Sequence, residues 1–215
     1  MSNIQTPIPE KTIERLSEYR RTLIACHRRG ITHVFSHILA GMHGITAVQV
    51  RRDLMLIGFS SDTKKGYDVK VLIDFIDSIL YSENTMKVAV IGMGHLGQAI
   101  TKYFNGKELN IRITAAFDVD ESKIGQTIMD IPCYDVKDFE DVVSNNDISI
   151  VIISLPSSLA AQYTVPIINA GIKGVLNFTS APLNFPQGIV VENFDMTTIL
   201  EKVAYFVKAA EESNN

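Results

Sequence analysis

The sequence predicts an α/β chain in two parts. Short helices and a hairpin come first, and strands alternating with helices around a parallel sheet follow. Three observations predict it. A β-branched run at residues 87–91 leads into a glycine-rich turn at 92–97 that opens a helix. The polar stretch Ser-Glu-Asn-Thr at 82–85 separates this part from an earlier set of helical patterns. The charge also changes sign. Residues 1–80 carry 11 Lys and Arg against 8 Asp and Glu, and the remainder carries 9 against 16. The boundaries read as 1–81, 86–196 and a terminal helix at 197–215.

Composition narrows the function class. The 215 residues suffice for one large or two small domains, and 46% hydrophobic with 20% charged excludes a mostly disordered chain. No apolar run approaches the roughly 18 residues of a membrane span, and the N-terminus lacks a signal-type apolar core. The two cysteines, Cys26 and Cys133, form no metal spacing and fit a reducing cytosol. A cytoplasmic protein without membrane or metal partners is expected.

In the first part, Ile13, Leu16, Tyr19, Leu23 and Ile24 fall on one helical face, with Pro9 at the start and Gly30 at the end. A second helix starts at the cap Ser36 and stops near Gly44. A third runs from Thr46 to Ile57, with Gly58 as its stop and Ala47, Val50, Leu54 and Ile57 as its apolar face. Gln49, Arg52 and Asp53 are expected opposite that face, with Arg51 beside them. Two short helices, the second with Gln and Arg outward, form the pattern of a helix-turn-helix. Gln and Arg make bidentate bonds to base edges, and Arg also meets phosphates. Residues 59–70 read as a hairpin whose tip carries Lys64 and Lys65 near a phosphate backbone, as a wing does. An ordinary solvated helix face and turn is the plainer alternative. Val71, Leu72, Phe75, Ile76, Ile79 and Leu80 form a fourth amphipathic helix.

The second part carries a full dinucleotide fingerprint. The turn Gly92-Met93-Gly94-His95-Leu96-Gly97 follows a strand, opens a helix, and precedes a second strand at 111–117. That strand ends at Asp118, 21 residues after Gly97. Gly92 permits the tight turn, Gly94 lets the backbone approach a pyrophosphate, and Gly97 lets helix pack on strand. The helix N-terminus offers N–H groups to the anion. Asp118 accepts from the adenine ribose hydroxyls and, with Asp120 and Glu121, repels a 2′-phosphate, so NAD(H) is expected over NADP(H). Residues 148–155 are a continuous apolar run, as a central parallel strand should be, ending in Pro156 on the ligand side. A helix at about 158–170 and strands at 174–178 and 189–194 follow. The last helix presents Ile199, Leu200, Val203, Phe206 and Val207 as a stripe wide enough to cap its own sheet or dock on another subunit. No catalyst stands out: His95 sits in the glycine loop, and Cys133 reads as a small buried residue.

Taken together, the chain resembles the bacterial Rex family of redox-sensing transcriptional repressors over about residues 8 to 206. The resemblance rests on IPEKTIERLSEYRRTL, TAVQVRRDL, GYDV, VAVIGMGHLGQAI, FDVDESKIG, AGIKGVLNF and VENFDM. It implies a homodimer with an N-terminal winged helix, a Rossmann-type NAD(H) domain and a C-terminal helix swapped between subunits. It implies binding to pseudo-palindromic operator DNA when NAD⁺ is high and release by NADH. Gln49, Arg51 and Arg52 match the recognition helix, with Ser36 at the helix before it. The loop from Gly92 to Gly97 and Asp118 match the cofactor site, with Pro156 on its rim. Arg21, Tyr103 and Asp195 match switch positions. Met196 stands where the family often has an aromatic residue near the nicotinamide. The family wing, FGxxGxRGxGY, is IGFSSDTKKGY here, keeping Gly58, Gly66 and Tyr67 with Thr63 at the wing arginine. The family's Ser-Ser is Phe35-Ser36. The alternative is an NAD-dependent oxidoreductase or a nucleotide-binding regulator without DNA.

Overall fold

A computed structural model describes residues 8–60, 65–105, 107 and 109–213. The chain divides into two compact units, Met1–Asn84 and Thr85–Asn215. No helix among the described residues is long and apolar enough to cross a membrane.

The first unit contains α1 (Glu10–Arg28), β1 (His33–Val34), α2 (Ser36–His43), α3 (Ala47–Leu56), β2 (Tyr67–Asp68) and α4 (Val69–Leu80). Its core is Leu16, Tyr19 and Leu23 of α1 against Leu39, Val50, Leu54, Leu72 and Ile76, all essentially buried. The helical spacing of these residues is what turns them to one side. Gly30, Gly44 and Gly58 all have positive φ after their helices, as left-handed C-terminal stops require.

Four expectations are corrected here. Residues 59–70 do not form a local hairpin among the described residues, because Tyr67 pairs with Val34, and Asp68 with His33, across α2 and α3. The turn packs Gly66 so close to the Val34 carbonyl that a Cβ would lie 2.8 Å from its oxygen. Ser36 is the first helical residue and makes no cap bond, the extended Phe35 standing at the N-cap. Val71 is exposed, and Val69, Leu72, Ile73 and Ile76 form the buried face of α4. Asp53 does not point outward. It is 1% exposed, because α1 supplies it with donors.

The second unit holds β3 (Met86–Ile91), α5 (His95–Asn105), β4 (Ile111–Asp118), β5 (Thr127–Ile128), β6 (Ile131–Asp135), α6 (Phe139–Asn145), β7 (Ile148–Ile153), α7 (Ser157–Ala160), α8 (Thr164–Asn169), β8 (Gly174–Asn177), β9 (Val190–Asn193) and α9 (Met196–Ser213). The sheet order is β5-β6-β4-β3-β7-β8-β9, with β5 antiparallel to β6 and the other pairs parallel. The chain leaves β3 toward β4 on one side and resumes at β7 on the other. The carboxyl ends of β3 and β7 therefore form a topological switch point, where open α/β sheets take ligands. Separate apolar clusters cover the two faces of the sheet, which is why β3 and β7 read as unbroken apolar runs.

The single helix expected at 158–170 is instead α7, a 3₁₀ turn at Ala161–Tyr163, and α8. Pro166 lacks the N–H that would continue an α-helical ladder through that turn. The terminal helix α9 has no buried residue, and Leu200 and Phe206 are 69% and 63% exposed.

Candidate nucleotide site and nucleic-acid interface

At the switch point the glycine turn is held from three directions. Gly92 lies in the left-handed region at φ 95°, and a Cβ there would approach the Ser154 carbonyl oxygen to 2.9 Å. A Cβ on Gly97 would come within 2.0 Å of the Gly92 carbonyl oxygen, so α5 starts hard against the turn. Ser154, which the sequence did not single out, donates its hydroxyl to that same Gly92 oxygen at 2.9 Å. A Cβ on Gly94 would meet nothing within 4 Å, which leaves open space over the turn. His95 is exposed at the first position of α5, where the opening N–H groups have no partner within the helix.

Met93 differs from the expectation of a ligand contact. Its side chain is fully buried in the core, and its N–H donates to Asp118 Oδ2 at 2.9 Å. It anchors the loop from below. Leu96 is half-buried against the same core.

Asp118 ends β4 and is 7% exposed. Its Oδ1 accepts from the N–H groups of Val119 (2.8 Å) and Asp120 (3.0 Å). Its Oδ2 accepts from Met93 and from Lys123 Nζ at 2.9 Å. Burial alone would raise the carboxyl pKa. The Lys123 ammonium and the backbone N–H groups outweigh it and hold the group below the usual carboxylate range. Lys123 also reaches Asp120 at 3.4 Å. This lysine was missed in the sequence, although it lies only five residues past Asp118.

On the other side of the switch point, the loop after β8 lines an open depression of about 360 Å³ with Asn193 and Asp195. Fully buried Asn177 builds it. Its Nδ2 donates to the Ala181 carbonyl and to Asn193 Oδ1, while its Oδ1 accepts from the backbone and hydroxyl of Thr179. Pro156 caps α7 at the carboxyl end of β7, and the neighbouring Ser157 hydroxyl bonds that of Ser180 at 2.8 Å. Asp195 accepts from Thr197 N–H and the Thr198 hydroxyl at the start of α9, and these bonds hold its pKa low. Met196 is half exposed beside it. Tyr103 is exposed on α5, under the Lys107 ammonium at 4.2 Å from its ring centre. Cys133 is buried, and desolvation raises its thiol pKa, which fits an inert core residue.

In the first unit, Thr46 caps α3 by accepting from Gln49 N–H at 3.1 Å. Arg51 and Arg52 are exposed on α3, and Arg51 Nη1 donates to Ser36 Oγ at 3.1 Å, bringing those two predicted residues together. Gln49 is half-buried, its Nε2 donating to Asp53 Oδ1 at 2.9 Å. Lys65 is exposed, while Thr63 and Lys64 lie outside the described residues. Arg21 is exposed on α1, bonding Ser17 Oγ at 3.1 Å.

The comparisons cover both units. A family model described as a CoA binding domain matches residues 83–181, and one described as a putative DNA-binding protein N-terminus matches residues 7–54. The redox-sensing transcriptional repressor Rex of Leuconostoc citreum (strain KM20) is 36% identical over 203 residues, covering 94% of each chain. That of Carboxydothermus hydrogenoformans is 38% identical over 201 residues, covering 94% of this chain and 97% of the relative. The crystal structure of RSP, a Rex-family repressor, in complex with β-NAD⁺ and operator DNA superposes at a TM-score of 0.89. It is 30% identical and covers 97% of this chain and 96% of its own. The RSP complex with β-NADH gives 0.82 at 31% identity, covering 97% and 98%. With such identity along nearly the whole of both units, the chain belongs to the Rex family of redox-sensing transcriptional repressors.

Proposed function

We propose that this repressor is a cytoplasmic homodimer that binds pseudo-palindromic operator DNA through α2 and α3 and is released by NADH, so that it follows the NADH/NAD⁺ ratio. The observation that carries this reading is the backbone likeness, over 97% of this chain, to a relative crystallised with both β-NAD⁺ and operator DNA. Membership of a repressor family removes the oxidoreductase alternative.

The residues fit a dinucleotide. The pyrophosphate would meet the start of α5 above Gly94, beside His95 and Leu96. The adenine ribose would meet Asp118, whose acceptor positions are filled by four donors. Ribose hydroxyls would therefore take the place of Lys123 on Oδ2. The nicotinamide would enter the depression where Ala181, Pro182 and Leu183 form one side and Thr179, Ser180, Asn184, Asn193 and Asp195 form the rest, near Pro156 and Met196. The neutral reduced ring would pack on the apolar side, where the cationic oxidised ring would lose hydration. Exposed α9 would be swapped onto the partner, which covers its apolar stripe.

Two recognition helices would enter successive major grooves, with Gln49 and Arg51 or Arg52 at bases and Ser36, Lys64 and Lys65 at phosphates. Asp195 would exchange partners, pairing with Arg21 on DNA and with Tyr103 when NADH is bound. That exchange competes with its bonds to Thr197 and Thr198.

A gel shift against a randomised palindromic duplex library, with and without NADH, tests the reading. Selected duplexes that dissociate on NADH addition are expected, and binding unchanged by NADH overturns it. Linkage requires operator DNA to weaken NADH binding by the same factor. That factor should shrink in Asp195→Ala and in Arg21→Ala, and identical coupling in all three proteins eliminates the partner exchange.

A further inference from the structure

Asp53 sits on the recognition helix yet faces the protein interior, where it is 1% exposed. Arg15 of α1 grips both its oxygens, Nε to Oδ2 and Nη2 to Oδ1, each at 2.7 Å. The Tyr19 hydroxyl donates to Oδ2 at 2.9 Å. The fourth donor is Gln49, one helical turn back, whose Nε2 reaches Oδ1 at 2.9 Å. Gln49 is half-buried, with part of its surface open to solvent.

A carboxylate only accepts hydrogen bonds. The Gln49 amide must therefore turn its NH₂ toward Asp53 and its Oε1 away. Arg15 and Tyr19 hold Asp53 in place, so the amide orientation is anchored to α1. We propose that Asp53 is a specificity-determining positioning residue that locks the Gln49 amide before DNA arrives. The locked amide presents Oε1 as an acceptor, with its remaining N–H on the same edge. That pairing suits the N6 amino group and N7 of adenine, and it sets an acceptor against O6 of guanine. A free amide would rotate and tolerate guanine or thymine at the same position.

This inference rests on the operator-binding reading, and the test separates the two. The parent first selects a duplex from a randomised palindromic library, and failure to select any duplex refutes operator binding itself. The selected duplex is then changed at each base pair in turn, and Kd is measured for the parent, Asp53→Asn and Gln49→Ala. The parent should discriminate roughly 5- to 150-fold for adenine over guanine at one position of each half-site. That ratio should drop below about threefold in both variants, with the salt dependence of binding unchanged. A merely structural Asp53 would weaken all duplexes alike, so an unchanged ratio in Asp53→Asn overturns the lock. An unchanged ratio in Gln49→Ala overturns it equally. The unmutated chain gives a second readout that does not depend on Asp53→Asn folding. In heteronuclear NMR one Gln49 side-chain amide proton should be protected from solvent exchange, and rapid exchange of both overturns the proposal.

Discussion

Asp53 and Asp118 are both buried, and each accepts from four donors, yet they hold different things together. The donors to Asp53 are all side chains, from Arg15, Tyr19 and Gln49, so this carboxylate ties α3 to α1. Three of the donors to Asp118 are backbone N–H groups, from Met93, Val119 and Asp120, and the fourth is Lys123. That carboxylate ties two loops into one turn. A side-chain network fixes helices relative to one another, whereas backbone donors fix the path of the chain at a ligand site. Both groups titrate below the usual carboxylate range for the same reason. Burial opposes the charge, and hydrogen bonds together with a cation overcome it.

The largest expected effect separates the two on stability. Asp53→Ala leaves the buried Tyr19 hydroxyl and the part-buried Arg15 guanidinium without their acceptor, which should cost about 3 kcal/mol in urea unfolding. A cost below about 1 kcal/mol would mean that α1 and α3 are held by apolar packing alone. The pH dependence has a defined sign. A carboxyl with a lowered folded pKa contributes stability above its unfolded value, near 3.8, and loses it as pH falls below that through the folded value. Urea midpoints measured between pH 5 and 2 should therefore fall less steeply in Asp53→Asn than in the parent.

A smaller stability effect and a larger ligand effect are expected at Asp118. Asp118→Ala removes the acceptor of three N–H groups, for about 1–3 kcal/mol of stability. It should weaken NADH roughly 10- to 100-fold and NADPH less, as cofactor fluorescence titrations would read. Equal weakening of both cofactors would remove ribose recognition from this residue.

Lys123→Met gives the smallest effect, about 1 kcal/mol, because Asp118 keeps its three backbone N–H donors when the lysine is lost. Its value lies in cofactor choice. Lys123 is the cation at Asp118 that a 2′-phosphate would meet, so its loss should widen the NADH over NADPH preference several-fold. A narrowed preference would mean that Lys123 helps to hold the ribose hydroxyls.

How far each carboxylate was legible follows from the distance to its donors. Asp118 ends the strand that follows the strand–turn–helix of the glycine turn, and its spacing from Gly97 reports it directly. Lys123, five residues on, is open to the same reading, because a carboxylate buried at a strand end needs a countercharge. A helical wheel of α3 places Asp53 on the solvent face because it knows only its own helix. Its partners Arg15 and Tyr19 lie 38 and 34 residues away. Their own spacing of four, placing a cation and a phenol on one side of α1, was the available signal.

The amino-acid order by itself determined the amphipathic helices, their glycine stops, the buried strands β3, β4 and β7, and the turn at Gly92–Gly97. Each depends on periodicity or backbone conformation within a dozen residues. Tertiary structure alone decided that β2 pairs with β1 across two helices, that Met93 points into the core, and that Arg15 and Tyr19 hold Asp53 inside. These depend on contacts between segments far apart in the chain. Burial then reverses the ordinary preference of a charged side chain for water, because donors from another helix replace the water it gives up.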